Sequence, residues 1–244
     1  MITRVIISSI IPYSESSLIC KVLTEQHGNI SIIAKGIRKQ KQILSRLWEY
    51  ELNLSEPKEE GLYLLKEARE LRDFSSYPSS ETWAAAECGI ELLSNLLIPA
   101  SEAEEYYALL CNYLGYLQGV SKNAILLLWR LFLRVFQMNG IRMEIKLCSQ
   151  CHCDKAIVGC TRSGELICME CYQAAPGTYL QLNPLSARIL DLLPEIGKHL
   201  NVLSLNRQVV NELNDLFRDY YQFHHKQKLR LKSLSVLSQY YPKA

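Results

Sequence analysis

The sequence predicts an α+β protein, with a five-stranded OB-fold barrel over residues 1–80 and a helical domain over 81–244 that carries a four-cysteine zinc module at 145–175. Three observations predict it. Short apolar runs separated by turn formers fill the N-terminal part, helical apolar spacing takes over past Ser79-Ser80, and six of the nine cysteines crowd between Cys148 and Cys171. A chain of 244 residues holds one large or two modest domains at roughly 150 residues each. With 48% apolar and 21% charged residues and no low-complexity run, it is neither disordered nor fibrous.

The expected strands are residues 4–11, 18–24, 30–37, 46–54 and 62–68, parted by Pro12-Tyr13-Ser14, His27-Gly28-Asn29 and Ser55-Glu56-Pro57. The fourth is the clearest, because Trp48, Tyr50, Leu52 and Leu54 alternate with Glu49, Glu51 and Asn53. Five short strands with a tight turn between the second and third suit a closed barrel, which leaves no exposed edge.

Helices are expected over residues 84–97, 104–117 and 123–139, the first stopped by Pro99 and the third by Gly140. The third is apolar nearly all round, with Arg130 and Arg134 on its polar stripe. Asn183-Pro184 forms an N-cap and first-turn pair for a helix ending near Ile196, followed by helices over 206–225 and 229–241.

Between them, Cys148-x-x-Cys151 and Cys168-x-x-Cys171 stand sixteen residues apart. Two such knuckles joined by a β-hairpin, with Thr161-Arg162-Ser163-Gly164 as its turn, close a four-sulfur cage around Zn2+. In a reducing compartment this spacing reads as metal binding before disulfides. Such a cage has no open coordination position, so its zinc is structural. Cys153 and Cys160 are spare thiols that leave the exact ligand set open.

Charge is segregated beneath a formal net +2. Residues 35–46 carry five bases (Lys35, Arg38, Lys39, Lys41, Arg46) and no acid, residues 49–105 carry fourteen acids against four bases, and residues 218–244 carry six bases against one Asp. The first cluster is a glycine-containing basic turn able to follow a phosphate backbone, with Tyr13, Trp48 and Tyr50 as aromatic neighbours. The alternation of Trp48 and Tyr50 assigns those two to the barrel core. The C-terminal bases Lys226, Lys228, Arg230 and Lys232, interleaved with Leu229, Leu231, Leu234 and Leu237, suit the wet face of a packed helix, a second nucleic-acid surface, or a groove for an acidic peptide.

Enzyme motifs are missing: there is no Gly-x-Gly-x-x-Gly, P-loop, His-Glu-x-x-His or zinc-deaminase signature, and the five histidines lie at turns, the knuckle or a helix end. The expectation is a non-enzymatic protein. The longest uncharged stretches, 106–121 and 172–187, contain polar residues, Gly or Pro and fall short of the roughly 18 apolar residues of a membrane span. The apolar start resembles a secretion signal only superficially, since it lacks a small-residue cleavage site and meets Pro12 and Glu15. A cytoplasmic, nucleoid-associated location is expected.

Tyr13-Ser-Glu-Ser16, Thr24-Glu-Gln-His-Gly28, Ala34-Lys-Gly-Ile-Arg-Lys39, Asn139-Gly140 ahead of Cys148, and Gly164-Glu-Leu-Ile-Cys168 occur in an order and spacing that resemble the bacterial recombination mediator family RecO. The resemblance spans the chain. It implies binding of single- and double-stranded DNA, strand annealing, and action with RecR to help RecA load onto strands coated by single-strand binding protein. By position, Lys35, Arg38 and Lys39 match the family's basic turn, and Cys148, Cys151, Cys168 and Cys171 its zinc ligands. His152 departs from the family's usual Gly, and Met143 from its usual Pro. The resemblance also implies a dock for the acidic, apolar tail of single-strand binding protein, with Arg130 and Arg134 as candidates; structural ion pairs with the acidic first helix are the alternative use of both. A zinc-ribbon protein-interaction adaptor without direct DNA binding is the alternative reading of the whole.

Overall fold

The computed structural model describes residues 1–39, 44–57 and 61–243. The chain divides into two compact units, Met1–Ser121 and Lys122–Ala244.

In the first unit, β1 (Ile2–Pro12), β2 (Leu18–Thr24), β3 (Gly28–Ala34), β4 (Trp48–Ser55) and β5 (Tyr63–Asp73) form a closed barrel in the order β1-β2-β3-β5-β4. All neighbours are antiparallel except β3 and β5, and β1 closes the barrel by pairing with β4 from Ile2↔Asn53 to Ile6↔Glu49. The expected α+β class and barrel are present. Side chains at alternate positions fill the interior: Val5 and Ile7, Cys20 and Val22, Tyr50, Leu52 and Leu54 are all buried there. Of the three aromatics singled out in the sequence, Tyr50 is wholly buried and its hydroxyl accepts from the Ser45 amide at 2.9 Å, Trp48 is half-buried, and Tyr13 is 64% exposed.

The outer wall of β1 and β2 is apolar as well. Ile6 and Leu23 face each other across the ladder and are buried, because α1 (Ser80–Ser94) and α2 (Ala103–Leu117) pack against that side of the barrel. The sequence pattern changes from strand to helix near residue 80, whereas by packing the first two helices belong with the barrel. Ala84, Ala85, Ala86 and Cys88 keep the buried side of α1 thin, and the Tyr113 hydroxyl of α2 donates to the Ala85 carbonyl at 2.7 Å. Ser79 caps α1 by accepting from the Thr82 amide at 3.2 Å.

The β2–β3 turn clamps the far end of α1. Asn29 Nδ2 donates to the Leu93 and Leu96 carbonyls at 2.8 and 3.0 Å where the helix ends, the Leu93 carbonyl also accepting from the Leu96 amide at 3.2 Å. Gly28 sits at φ +66°, and a Cβ there would lie 2.4 Å from the Ile98 carbonyl oxygen. Gly28→Ala is therefore expected to destabilise the first unit by about 2–4 kcal/mol, from left-handed strain plus the shift needed to relieve the clash, measured as a fall in chemical-denaturation midpoint. An unchanged midpoint would refute the clamp.

The second unit is built on α3 (Ile125–Met138), whose Trp129, Phe132 and Phe136 are buried against α6 (Arg207–His225). Phe132 and Phe217 stack at 5.6 Å with an 8° tilt, and Trp129 Nε1 donates to Asn214 Oδ1 at 2.9 Å while Asn214 Nδ2 donates to Ser238 Oγ at 3.1 Å. The buried polar groups are thus paired within the aromatic core. As expected, Asn139 and Gly140 (φ +74°) end α3. Asn183 and Pro184 start α5 (Pro184–Leu192), which gives way at Pro194 to a 3-10 turn, Leu193–Lys198, so the regular helix ends short of Ile196. A three-stranded sheet, β7 (Leu166–Cys168), β6 (Ile157–Cys160) and β8 (Leu180–Gln181), carries Cys160 and Cys168, the short α4 (Met169–Ala174) carries Cys171, and Cys148 and Cys151 lie in the turn ahead of β6.

The basic C-terminal stretch is not one helix. α6 ends at His225, residues 226–231 are non-helical, and α7 is confined to Lys232–Leu237. Among the described residues, no helix is long and apolar enough to cross a membrane.

Candidate nucleic-acid interface and metal centre

The basic turn is built where β3 leaves the barrel. Ala34 is still paired to Leu18, Gly36 reverses the chain at φ +71°, and Ile37 drops back into the core, so Lys35, Arg38 and Lys39 are left exposed around an anchored loop. The Ile37–Lys39 segment forms a 3-10 turn in which the Lys39 amide donates to the Gly36 carbonyl at 3.0 Å. Third-strand residues expected to run to Ile37 thus become this turn.

The turn is tied to the β1–β2 loop. The Arg38 amide donates to the Ser16 carbonyl at 3.2 Å and Arg38 Nη1 to the Ser14 carbonyl at 2.9 Å, while Ser14 Oγ accepts from the Ser17 amide. Two loops distant in sequence are thereby fixed as one surface, which carries the exposed ring of Tyr13. Sequence reasoning named both segments but not the bond between them; a serine-rich turn offering free carbonyls beside an arginine was the available signal. Lys41 lies outside the described residues.

Arg46 is placed differently from the other bases. Its guanidinium donates to the Glu87 carboxylate of α1 and forms an ion pair with it, the two side chains being 41% and 10% exposed. Burial pushes the Glu87 carboxyl up, and Arg46 opposes that shift. Arg46→Ala is expected to lower stability by about 1 kcal/mol at neutral pH, the figure being modest because Arg46 is largely in water. Without its partner, Glu87 has a folded-state pKa still further above its unfolded value. The extra loss is therefore absent while Glu87 is protonated in both folded proteins and grows as pH rises through the parent's raised folded-state pKa, and denaturation midpoints at pH 4 and pH 8 check this. A loss that is the same at both pH values would contradict it.

In the second unit, the Sγ atoms of Cys148, Cys151, Cys168 and Cys171 all lie within 4.8 Å of one another. A tetrahedral ion with metal–sulfur bonds of about 2.3 Å sets its sulfurs about 3.8 Å apart. Cys151 Sγ and Cys168 Sγ stand at 3.7 Å, so these four thiols fit such an ion. The Cys168 amide donates to Cys148 Sγ at 3.4 Å. Burial alone would push the Cys148 thiol up, but amides of Cys151, Cys168 and Gln150 outweigh it and pull it down to about 6, as suits a thiolate ligand. Four sulfur donors saturate a tetrahedral ion, so the centre can brace the β6–β7 hairpin against α4 but offers no position for a substrate.

The knuckle explains one departure noted in the sequence. His152 follows the second cysteine at φ +55°, a left-handed conformation that glycine adopts most cheaply, and its amide donates to the Cys148 carbonyl at 2.9 Å. The hairpin tip is the expected Thr161–Gly164 turn, with the Gly164 amide on the Thr161 carbonyl at 3.0 Å and φ +84°. Cys153 Sγ touches Cys151 Sγ at 3.3 Å but is not among the four mutually close sulfurs. Cys160 is buried on β6 and outside the group, its thiol pushed up to about 11 by burial.

Arg130 and Arg134 are exposed one turn apart on α3, where Arg134 Nη1 donates to Gln137 Oε1 at 2.9 Å. Neither makes an ion pair among the described residues.

Residues 1–74 match the family described as Recombination protein O N terminal, and residues 78–234 that described as Recombination protein O C terminal. A DNA repair protein RecO of Halalkalibacterium halodurans is 24% identical over 237 residues, covering 94% of this chain and 91% of that protein. Another, from Bacillus pumilus, is 24% identical over 243 residues, covering 93% and 89%. With both halves matched in order, on a closed barrel followed by a helical unit with clustered cysteines, this chain belongs to the recombination protein O family, RecO.

Proposed function

We propose that this chain is a recombination mediator in DNA repair that binds single- and double-stranded DNA, anneals complementary strands and, with RecR, helps RecA load onto strands coated by single-strand binding protein. The observation that carries the reading is the anchored basic turn: Lys35, Arg38 and Lys39 project from a barrel end that also presents the Tyr13 ring. Cations on a fixed loop follow phosphates, and an exposed aromatic beside them offers a face to an unpaired base. Lys41 extends the same run in sequence. Arg46 contributes to the field of this end while committed to Glu87.

The four knuckle cysteines hold Zn2+, which supplies a rigid tetrahedral crosslink, and Cys148, Cys151, Cys168 and Cys171 orient the hairpin and helix around it. Arg130 and Arg134, exposed on a helix whose remaining residues are apolar except Gln137, offer the cations that the acidic tail of single-strand binding protein would meet.

The reading is tested by anisotropy of a labelled single-stranded oligonucleotide across a salt series. Binding at low salt that weakens steeply and linearly in log–log form supports it. Absence of binding in dilute buffer, with the protein folded, returns the chain to an interaction adaptor braced by zinc.

A further inference from the structure

We infer that the second unit carries a single-strand track of its own, made of Lys226, Lys228, Arg230 and Lys232 and beginning at a cleft with an exposed aromatic ring. The inference rests on the reading that this protein binds polynucleotide, but not on the barrel turn being where it does so.

The track follows from burial. From residue 228 to 232, exposed Lys228, Arg230 and Lys232 alternate with buried Leu229 and Leu231, as in an extended segment with one face on the core. Alternate residues of extended backbone stand about 6.6 Å apart, from roughly 3.3 Å per residue. That separation is close to the reach between successive phosphates of an extended strand. A helix would have spread the same four cations around its circumference, which is why the non-helical path matters.

Lys226 joins the track to the cleft. It caps α6 at φ +57°, where glycine is the cheap choice, and its Nζ lies 4.5 Å from the centre of the Phe223 ring. Phe223 is 46% exposed. Both residues line an open cleft of about 750 Å³, together with Arg162 at the hairpin tip, Tyr179 and Gln222. One carboxylate, Asp219, also faces it and can accept from the amino group of a base.

The lining favours a nucleobase over a peptide. An acidic, apolar peptide needs an apolar groove, whereas here short hydroxyl side chains, Thr161, Ser163 and Thr178, surround the ring and cations. An unpaired base brings a flat face for Phe223, polar edges for Gln222 and a backbone for the lysines.

The test uses the full chain with labelled oligothymidylate. Lys226→Gln/Lys228→Gln/Arg230→Gln/Lys232→Gln is expected to bind roughly several hundredfold weaker at 0.1 M salt and to make the log–log salt slope about 3 shallower, from roughly 0.7 per phosphate contact and about fivefold per contact at that salt. Phe223→Ala, a milder change at an exposed site, is expected to weaken binding roughly fivefold or more. Crosslinking an iodouracil-substituted strand should mark the peptide holding Phe223 or Tyr179. Circular dichroism and metal content of each variant confirm folding. If the four-residue variant keeps its affinity and slope while Lys35→Glu/Arg38→Glu/Lys39→Glu loses them, the track is refuted and the barrel reading stands. If the reverse holds, the track stands and the barrel turn falls. Crosslinks confined to the Tyr13 peptide, or an acidic peptide that needs these lysines when the oligonucleotide does not, would overturn the track.

Discussion

Lys35→Glu/Arg38→Glu/Lys39→Glu is expected to weaken single-strand binding by about 100-fold at 0.1 M salt and to reduce the log–log salt slope by about 2. The figures follow from roughly 0.7 per contact, each contact being worth about fivefold at that salt concentration. Charge reversal adds repulsion to the lost attraction, so the loss in affinity is a lower bound. All three side chains are exposed, and Arg38 alone of the three has a side-chain bond to the loop among the described residues, to the Ser14 carbonyl, while its backbone amide holds the Ser16 carbonyl whatever side chain it carries. Arg38→Lys separates positioning from charge. A lysine keeps the cation but not the planar fork that reaches the Ser14 carbonyl. If loop fixation matters, this variant loses affinity with its salt slope unchanged; if charge alone matters, it binds as the parent does. Unaltered affinity in the triple reversal would remove the turn from the site.

Stripping the proposed zinc with a strong chelator, or replacing Cys168 with Ser, is expected to melt the cysteine module while the barrel persists. Structural zinc contributes about 10–16 kcal/mol to small finger peptides, far more than a three-stranded sheet of this size supplies from its own packing. Hydrogen exchange should show amides of residues 148–171 losing protection and those of β1 to β5 keeping it. Metal content should fall to near zero in Cys168→Ser and stay at one equivalent in Cys160→Ser, since Cys160 lies outside the cage. Cysteines ligate metal as thiolates, so retention of the proposed ion is expected to weaken as pH falls and protons compete for sulfur. An unchanged exchange pattern after complete metal removal would show that the cage braces nothing.

Much of this was legible in the residues. The alternation of Tyr50, Leu52 and Leu54 placed a strand with one buried face, and Asn183-Pro184 and Asn139-Gly140 marked helix ends by local backbone chemistry. The two Cys-x-x-Cys pairs marked the cage because four donors at fixed spacing have few other uses. What the sequence hid was long-range. Arg46 and Glu87 are forty-one residues apart, and nothing local distinguishes a paired arginine from one facing solvent. The attachment of α1 and α2 to the barrel was foreshadowed only by Val5-Ile6-Ile7, a run apolar on both faces. The C-terminal stretch read as one helix because Leu231, Leu234 and Leu237 stand three apart, whereas Leu229 and Leu231, two apart, fit the extended path that the chain takes before Lys232.

The clamp of Asn29 and Gly28 on the end of α1 also governs how the gene can be divided. A barrel expressed alone and cut near residue 80 would bare Ile6 and Leu23 and leave Asn29 without its acceptors, inviting association through that oily wall. A recombinant piece ending at Ser121 keeps both helices over it. That longer boundary is where a soluble half-molecule for binding measurements should be sought.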